Sequence, residues 1–133
     1  MNDCIFCKII NHEIPSVKIY EDDNLLAILD ISQTTKGHTL VIPKRHARNL
    51  LAMSAEDSAL LFAKIPEIAN LLKSKLKAEG LNILSNNEEL AGQSVFHTHI
   101  HLIPRYFDDD GPDFLNFTTH KYNLEEIARE VLK

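Results

Sequence analysis

The sequence predicts an α+β fold built on an antiparallel sheet, and three observations carry that reading. Short apolar runs at 17–20, 25–29, 38–42, 81–84 and 95–103 are separated by turn or polar residues. Strand candidates mostly follow strand candidates, which argues against repeated βαβ units. A single long stretch with helical spacing lies between Ser54 and Gly80, and weaker helical segments lie near the two ends. The expectation is one domain over 1–133: an antiparallel β-sheet with one long helix and short terminal helices.

Taken in order, residues 4–12 allow a short helix that Ile14-Pro15 breaks, because proline biases its predecessor towards extended backbone. Val17–Tyr20 and Leu25–Leu29 read as strands joined by the turn Asp22-Asp23-Asn24. A loop from Asp30 to Gly37 leads to a strand at His38–Ile42, ended by Pro43 and followed by the basic group Lys44, Arg45, His46 and Arg48. Ser54, with Asp57 three residues on, reads as a helix cap. Leu60, Leu61, Ile65, Ile68, Leu72 and Leu76 then recur at helical spacing up to Gly80. Pro66 interrupts them, so a bend or a fresh helix start is expected there. Leu81–Leu84 and Val95–Ile103 read as a hairpin with a polar connection, closed by Pro104-Arg105. The tail from Phe107 to His120 reads as irregular, with Phe114 and Phe117 sealing a core or a dimer surface. Asn123 and Glu126 cap a final helix whose apolar side is Leu124, Ile127, Ala128 and Leu132.

Composition narrows the function. The net charge of −5, with no basic face interleaved with aromatics, speaks against a nucleic-acid duplex as partner. No apolar run approaches the length that spans a bilayer, so no membrane partner is expected. No secretory leader pattern is visible, and the chain reads as cytoplasmic.

Two motifs carry chemistry. In Val95-Phe96-His97-Thr98-His99-Ile100-His101-Leu102-Ile103, an extended backbone would place His97, His99 and His101 on one strand face. Imidazoles so placed can ligate metal, attack phosphorus or carry protons near neutral pH. Cys4-Ile5-Phe6-Cys7 holds both cysteines of the chain and reads either as half a zinc site or as a redox pair. His12 and His120 have no comparable context.

In these motifs the chain resembles the histidine-triad (HIT) family, in its small prokaryotic, Hint-like branch. His97-Thr98-His99-Ile100-His101-Leu102-Ile103 is similar to the family's His-apolar-His-apolar-His-apolar-apolar signature, with Thr98 a departure. Gly92-Gln93-Ser94-Val95-Phe96, Asp30-Ile31, Gly37-His38-Thr39-Leu40-Val41-Ile42-Pro43-Lys44-Arg45-His46 and Asn86 extend the likeness across roughly residues 4–107.

The resemblance implies a HIT-like fold and a homodimer whose sheets pair across a two-fold axis. It implies hydrolysis or transfer at the α-phosphorus of a purine nucleotide, such as a nucleoside phosphoramidate or a dinucleoside polyphosphate. By motif position His99 is the nucleophile that forms a nucleotidyl-histidine. Asp30 and Ile31 match ribose and base positions, and Asn86, Gln93, Ser94 and His101 match the shell around the phosphate. His38 supports the hydrogen-bond network. The resemblance also carries Cys4, Cys7, His46 and His97 into a structural Zn2+ site. Two other readings stand beside it. In one, the protein binds nucleotide as a regulatory or scaffold component with little turnover. In the other, His97, His99 and His101 are catalytic zinc ligands.

Overall fold

The computed structural model describes residues 3–107 and 119–133. Five antiparallel strands run in the order β1-β2-β3-β5-β4: β1 is Lys18–Glu21, β2 Leu25–Leu29, β3 Thr39–Pro43, β4 Gly80–Leu84 and β5 Ile100–Arg105. Helix α1 (Ile5–Ile10) precedes the sheet, α2 (Ala55–Ala63) and α3 (Ile65–Leu76) join β3 to β4, and α4 (Leu124–Leu132) closes the described residues. The α+β class and the antiparallel sheet are those expected.

Register sorts the side chains onto two faces. Leu26 pairs with Ile42, Ile28 with Leu40, and Leu40 with His101. Directly paired residues share a face, so His101 stands with these aliphatics under Phe6 and Ile9 of α1. The alternate residues Leu25, Ala27, Val41, Ile100 and Leu102 pack against Leu61, Ile65, Ile68 and Leu72 of α2 and α3. One face of the sheet therefore carries the larger apolar core and the other carries histidine.

Three boundaries are corrected, while the fresh helix start expected at Pro66 is present: the run breaks at Lys64 and restarts with Pro66 in the first turn of α3, so the one long helix is two. Proline is tolerated there because the N–H it lacks would have no intrahelical partner. The second helix stops before Lys77, which takes the left-handed conformation at φ 58°, and Gly80 opens β4. The histidine strand begins at Ile100 rather than Val95. Pairing with β3 starts at Val41–Ile100, whereas the Thr98 amide donates to the Ala47 carbonyl at 2.8 Å. His97 and His99 thus precede the strand. Nor does Pro104 end it. Its carbonyl accepts from the Thr35 hydroxyl at 2.6 Å, so its backbone nitrogen faces the segment before Thr39, where β3 has not begun, and no ladder bond is lost.

The expected caps form: Ser54 Oγ accepts from the Asp57 amide and Asn123 Oδ1 from the Glu126 amide. Helix α4 leaves Leu124, Ile127, Val131 and Leu132 exposed. Phe114 and Phe117 lie outside the described residues. Among the described residues no helix is long and apolar enough to cross a membrane.

Candidate functional site

A cavity of about 470 Å³ opens on the histidine face of the sheet. Its wall includes Phe6 and Ile9 of α1, Ile28 and Leu40 of the sheet, and Asp30, Ile31, Ser94, His99 and His101. Of the residues expected to serve a nucleotide, these last five border the cavity. Ile31 is fully exposed at its rim. Asn86 and Gln93 do not line it, and His38 stands behind His101.

The hydrogen bonds assign the histidine tautomers. His99 Nδ1 lies 2.8 Å from the carbonyl oxygen of His97. A carbonyl only accepts, so Nδ1 carries the proton and Nε2 holds the lone pair. The Thr34 amide donates to His38 Nδ1 at 3.3 Å, so His38 carries its proton on Nε2. That nitrogen is 2.9 Å from His101 Nδ1 and 3.6 Å from Asp30 Oδ2. His101 Nδ1 therefore accepts, and its Nε2–H remains as a donor. A nucleophilic nitrogen and an N–H donor thus sit on adjacent rings, with centroids 5.0 Å apart.

Burial keeps both rings neutral. It holds His99 below the ordinary histidine range. Burial first, then the neighbouring His99 and His38, lowers His101 to about 4. Phe6 supplies much of this dry wall, with its ring edge-on to His99 at 5.0 Å and to His97 at 5.9 Å. The sequence carries no signal for that role beyond an apolar residue between two cysteines.

Gln33 was also silent in the sequence. Its amide nitrogen donates to the carbonyls of Asp30 and His38, and its oxygen accepts from the Gly37 amide. This side chain sets the loop that presents Asp30 and His38 together.

Gln93 is buried and fully engaged. Its oxygen accepts from Asn49 Nδ2 and the Glu88 amide, and its nitrogen donates to the carbonyls of Arg48 and Val95. It pins the loop before the histidines against residues 48–49. Glu88 begins this loop at φ 80°, ψ 157°, a backbone region populated almost only by glycine and costing other residues about 1–3 kcal/mol. Asn86 packs beside Gly92 of the same loop.

Cys4, Cys7, His46 and His97 meet on the far side of Phe6, with one donor atom from each lying within 4.8 Å of the others. His97 Nε2 donates to the Pro43 carbonyl at 2.8 Å, which leaves Nδ1 to face the cluster. From Nδ1 the distances are 3.3 Å to Cys4 Sγ, 3.6 Å to Cys7 Sγ and 3.1 Å to His46 Nδ1. A tetrahedral ion with bonds of about 2.0–2.3 Å has ligand-to-ligand edges of about 3.3–3.8 Å. The donor set and its spacing therefore fit a four-coordinate zinc. Burial, together with Cys4, pushes the Cys7 thiol up to about 11, a resistance to ionisation that a bound cation would reverse. Asp30, His38 and His101 also approach one another, but the tautomer chain already uses their facing atoms.

The chain matches the HIT domain family over residues 11–108. It is 55% identical over 109 residues to Protein hit of Bacillus subtilis, covering 82% of this chain and 75% of that one. It is 46% identical over 131 residues to adenylylsulfatase HINT3 of Arabidopsis thaliana, covering 98% of this chain and 66% of the plant protein. The crystal structure of SMU.412c from Streptococcus mutans superposes with a TM-score of 0.91 at 52% identity, covering 99% of this chain and 83% of that one. The protein belongs to the HIT family. Its relatives point to a nucleotide hydrolase as the class of activity.

Proposed function

We propose that this protein hydrolyses or transfers nucleotidyl groups at the α-phosphorus of nucleoside phosphoramidates or (di)nucleoside polyphosphates, with His99 as nucleophile. The observation that carries the reading is the tautomer pattern. A neutral His99 has Nδ1 tied to backbone and its Nε2 lone pair free, beside a proton-bearing His101 Nε2, on the wall of a mainly apolar cavity.

In the first step the His99 Nε2 pair forms an N–P bond while the bond from phosphorus to the leaving group breaks. The leaving group departs with the bonding electrons and takes a proton from water. The hydroxide equivalent then adds to phosphorus, the N–P pair returns to Nε2, and a nucleoside monophosphate is released. His101 Nε2–H and the Ser94 hydroxyl are the side-chain donors for charge on the phosphoryl oxygens. Asp30 and Ile31 at the rim suit the ribose and base, a purine in this reading.

Cys4, Cys7, His46 and His97 would hold a structural zinc. Bound there, the ion cross-links α1 to the segments bearing His46 and His97, and with all four positions taken by protein it needs no water. His97 holds the neighbouring backbone, and its carbonyl orients the His99 ring. His97 favours this over a zinc bound by all three histidines, because its Nε2 is tied to the Pro43 carbonyl and its one remaining ligand atom, Nδ1, faces Cys4, Cys7 and His46. The open edge of β4, where Ile83 is half exposed, supports a homodimer with sheets joined at that edge. The free thiols of Cys4 and Cys7 suit a reducing cytoplasm.

The test is rapid quench with a panel of nucleoside phosphoramidates and dinucleoside polyphosphates, followed by mass detection of the protein. A nucleotidyl adduct on His99 is expected, absent in His99→Ala. An adduct that persists in His99→Ala defeats the assignment. Tight nucleotide binding with no turnover of any substrate would favour the scaffold reading.

A further inference from the structure

Glu88 makes a demanding set of contacts from an unfavourable backbone. Its carboxylate receives Arg48 Nε at 2.9 Å, the Arg48 terminal nitrogen at 2.8 Å and Asn49 Nδ2 at 2.7 Å. Its amide donates to Gln93, and its carbonyl accepts from the amides of Ala91 and Gln93. The Arg48 guanidinium lies 4.2 Å above the Phe96 ring. Both partners of the ion pair are about half exposed, at 52% and 47%.

The segment 46–49 touches the catalytic stretch at successive points. Ala47 receives the Thr98 amide between His97 and His99, the Arg48 carbonyl receives Gln93, and the Arg48 side chain grips Glu88 and covers Phe96. Packing alone does not call for a glutamate at φ 80°. A side chain retained where glycine fits best needs a compensating interaction, and here that interaction fastens the loop carrying Ser94.

We propose that Glu88, gripped by Arg48, is a positioning residue: a latch that fastens the 88–95 loop and thereby fixes Ser94 relative to His99. This rests on the nucleotidyl-transfer reading, and it concerns the chemical step rather than nucleotide capture. Neither Glu88 nor Arg48 lines the cavity that holds Asp30 and Ile31.

Glu88→Gly separates the latch from the strain, because it removes the carboxylate and relieves the backbone at once. The expected result is a thermal midpoint equal to or above that of the parent protein, with faster hydrogen exchange at the Ser94 and Val95 amides. kcat falls about tenfold while KM stays within about twofold, as misplacement of a group near the reacting atoms predicts. Glu88→Gln, which keeps an acceptor of the same length, recovers part of kcat. Added salt lowers kcat in the parent but not in Glu88→Gly, since the exposed pair is screened. Unchanged exchange and kcat in Glu88→Gly overturn the proposal. So does a fall in thermal midpoint with kcat and KM worsening together, which marks general fold damage. If no nucleotide substrate is turned over by the parent, the function above fails, while amide exchange still decides whether the latch exists.

Discussion

The Nε2 atom of His38 lies 2.9 Å from Nδ1 of His101, and the Thr34 amide on the other side of His38 determines which ring owns the proton between them. His101 thereby presents a donor rather than a lone pair to the cavity. His38→Phe keeps an aromatic ring at this buried position but removes the relay. We expect kcat to fall by about 10²-fold, in the range of positioned proton donors, with little change in KM. Steady-state kinetics on a phosphoramidate checks this.

Acid should act through the buried rings. His101 titrates at about 4 in the fold against an ordinary 6.5. Between those values the unfolded chain binds more protons than the native one, so stability is full above about 6.5 and is lost as pH falls towards about 4. Urea midpoints in this window should decline less steeply for His101→Gln than for the parent. His99 is also held low by burial, so its nucleophilic form, and kcat/KM with it, should persist into mildly acid solution. A kcat/KM that is already halved at the ordinary histidine pKa would contradict this.

Elemental analysis should find about one zinc per chain, since four thiol and imidazole donors lie within 4.8 Å of one another, a number and type that would close a tetrahedral site. Cys7→Ser should lose most of it and lower the thermal midpoint. A variant that kept both its metal and a chelator-sensitive activity would favour a zinc held by the three histidines instead.

Gly37 sits at φ 92°, and a Cβ there would meet Leu76 Cδ1, the far end of a side chain that can shift. Gly37→Ala should destabilise the protein by about 1–2 kcal/mol from the backbone alone. Thermal unfolding should show a drop of several degrees. Because His38 follows directly, kcat should fall as well.

Much of this was legible in the residues, for reasons that differ by element. Both ends of Leu25–Leu29 can be read from the residues, because Asp22-Asp23-Asn24 and Asp30 punctuate a fully apolar run. The α2–α3 break was expected at Pro66, although the helix stop at Lys77 was not, since a lysine gives no local sign of left-handed backbone. The triad misled on one count. Alternation describes an extended chain, but the ladder partner decides where a strand begins, and Ala47 captures Thr98 before β3 is reached. The cysteine pair alone left zinc and redox open, and only the likeness to a family supplied His46 and His97. The Glu88–Arg48 pair spans 40 residues of sequence, and no local pattern encodes such a contact.

The two-sided sheet has a practical consequence. Leu25, Val41, Ile100 and Leu102 point towards the paired helices, while their immediate neighbours Leu40 and His101 point towards the cavity. An engineer could harden the rear of this plate, refilling the helix-packed layer for heat tolerance, and leave the reactive front untuned. The division runs residue by residue along each strand, so a single-position slip in pairing would exchange the two roles wholesale.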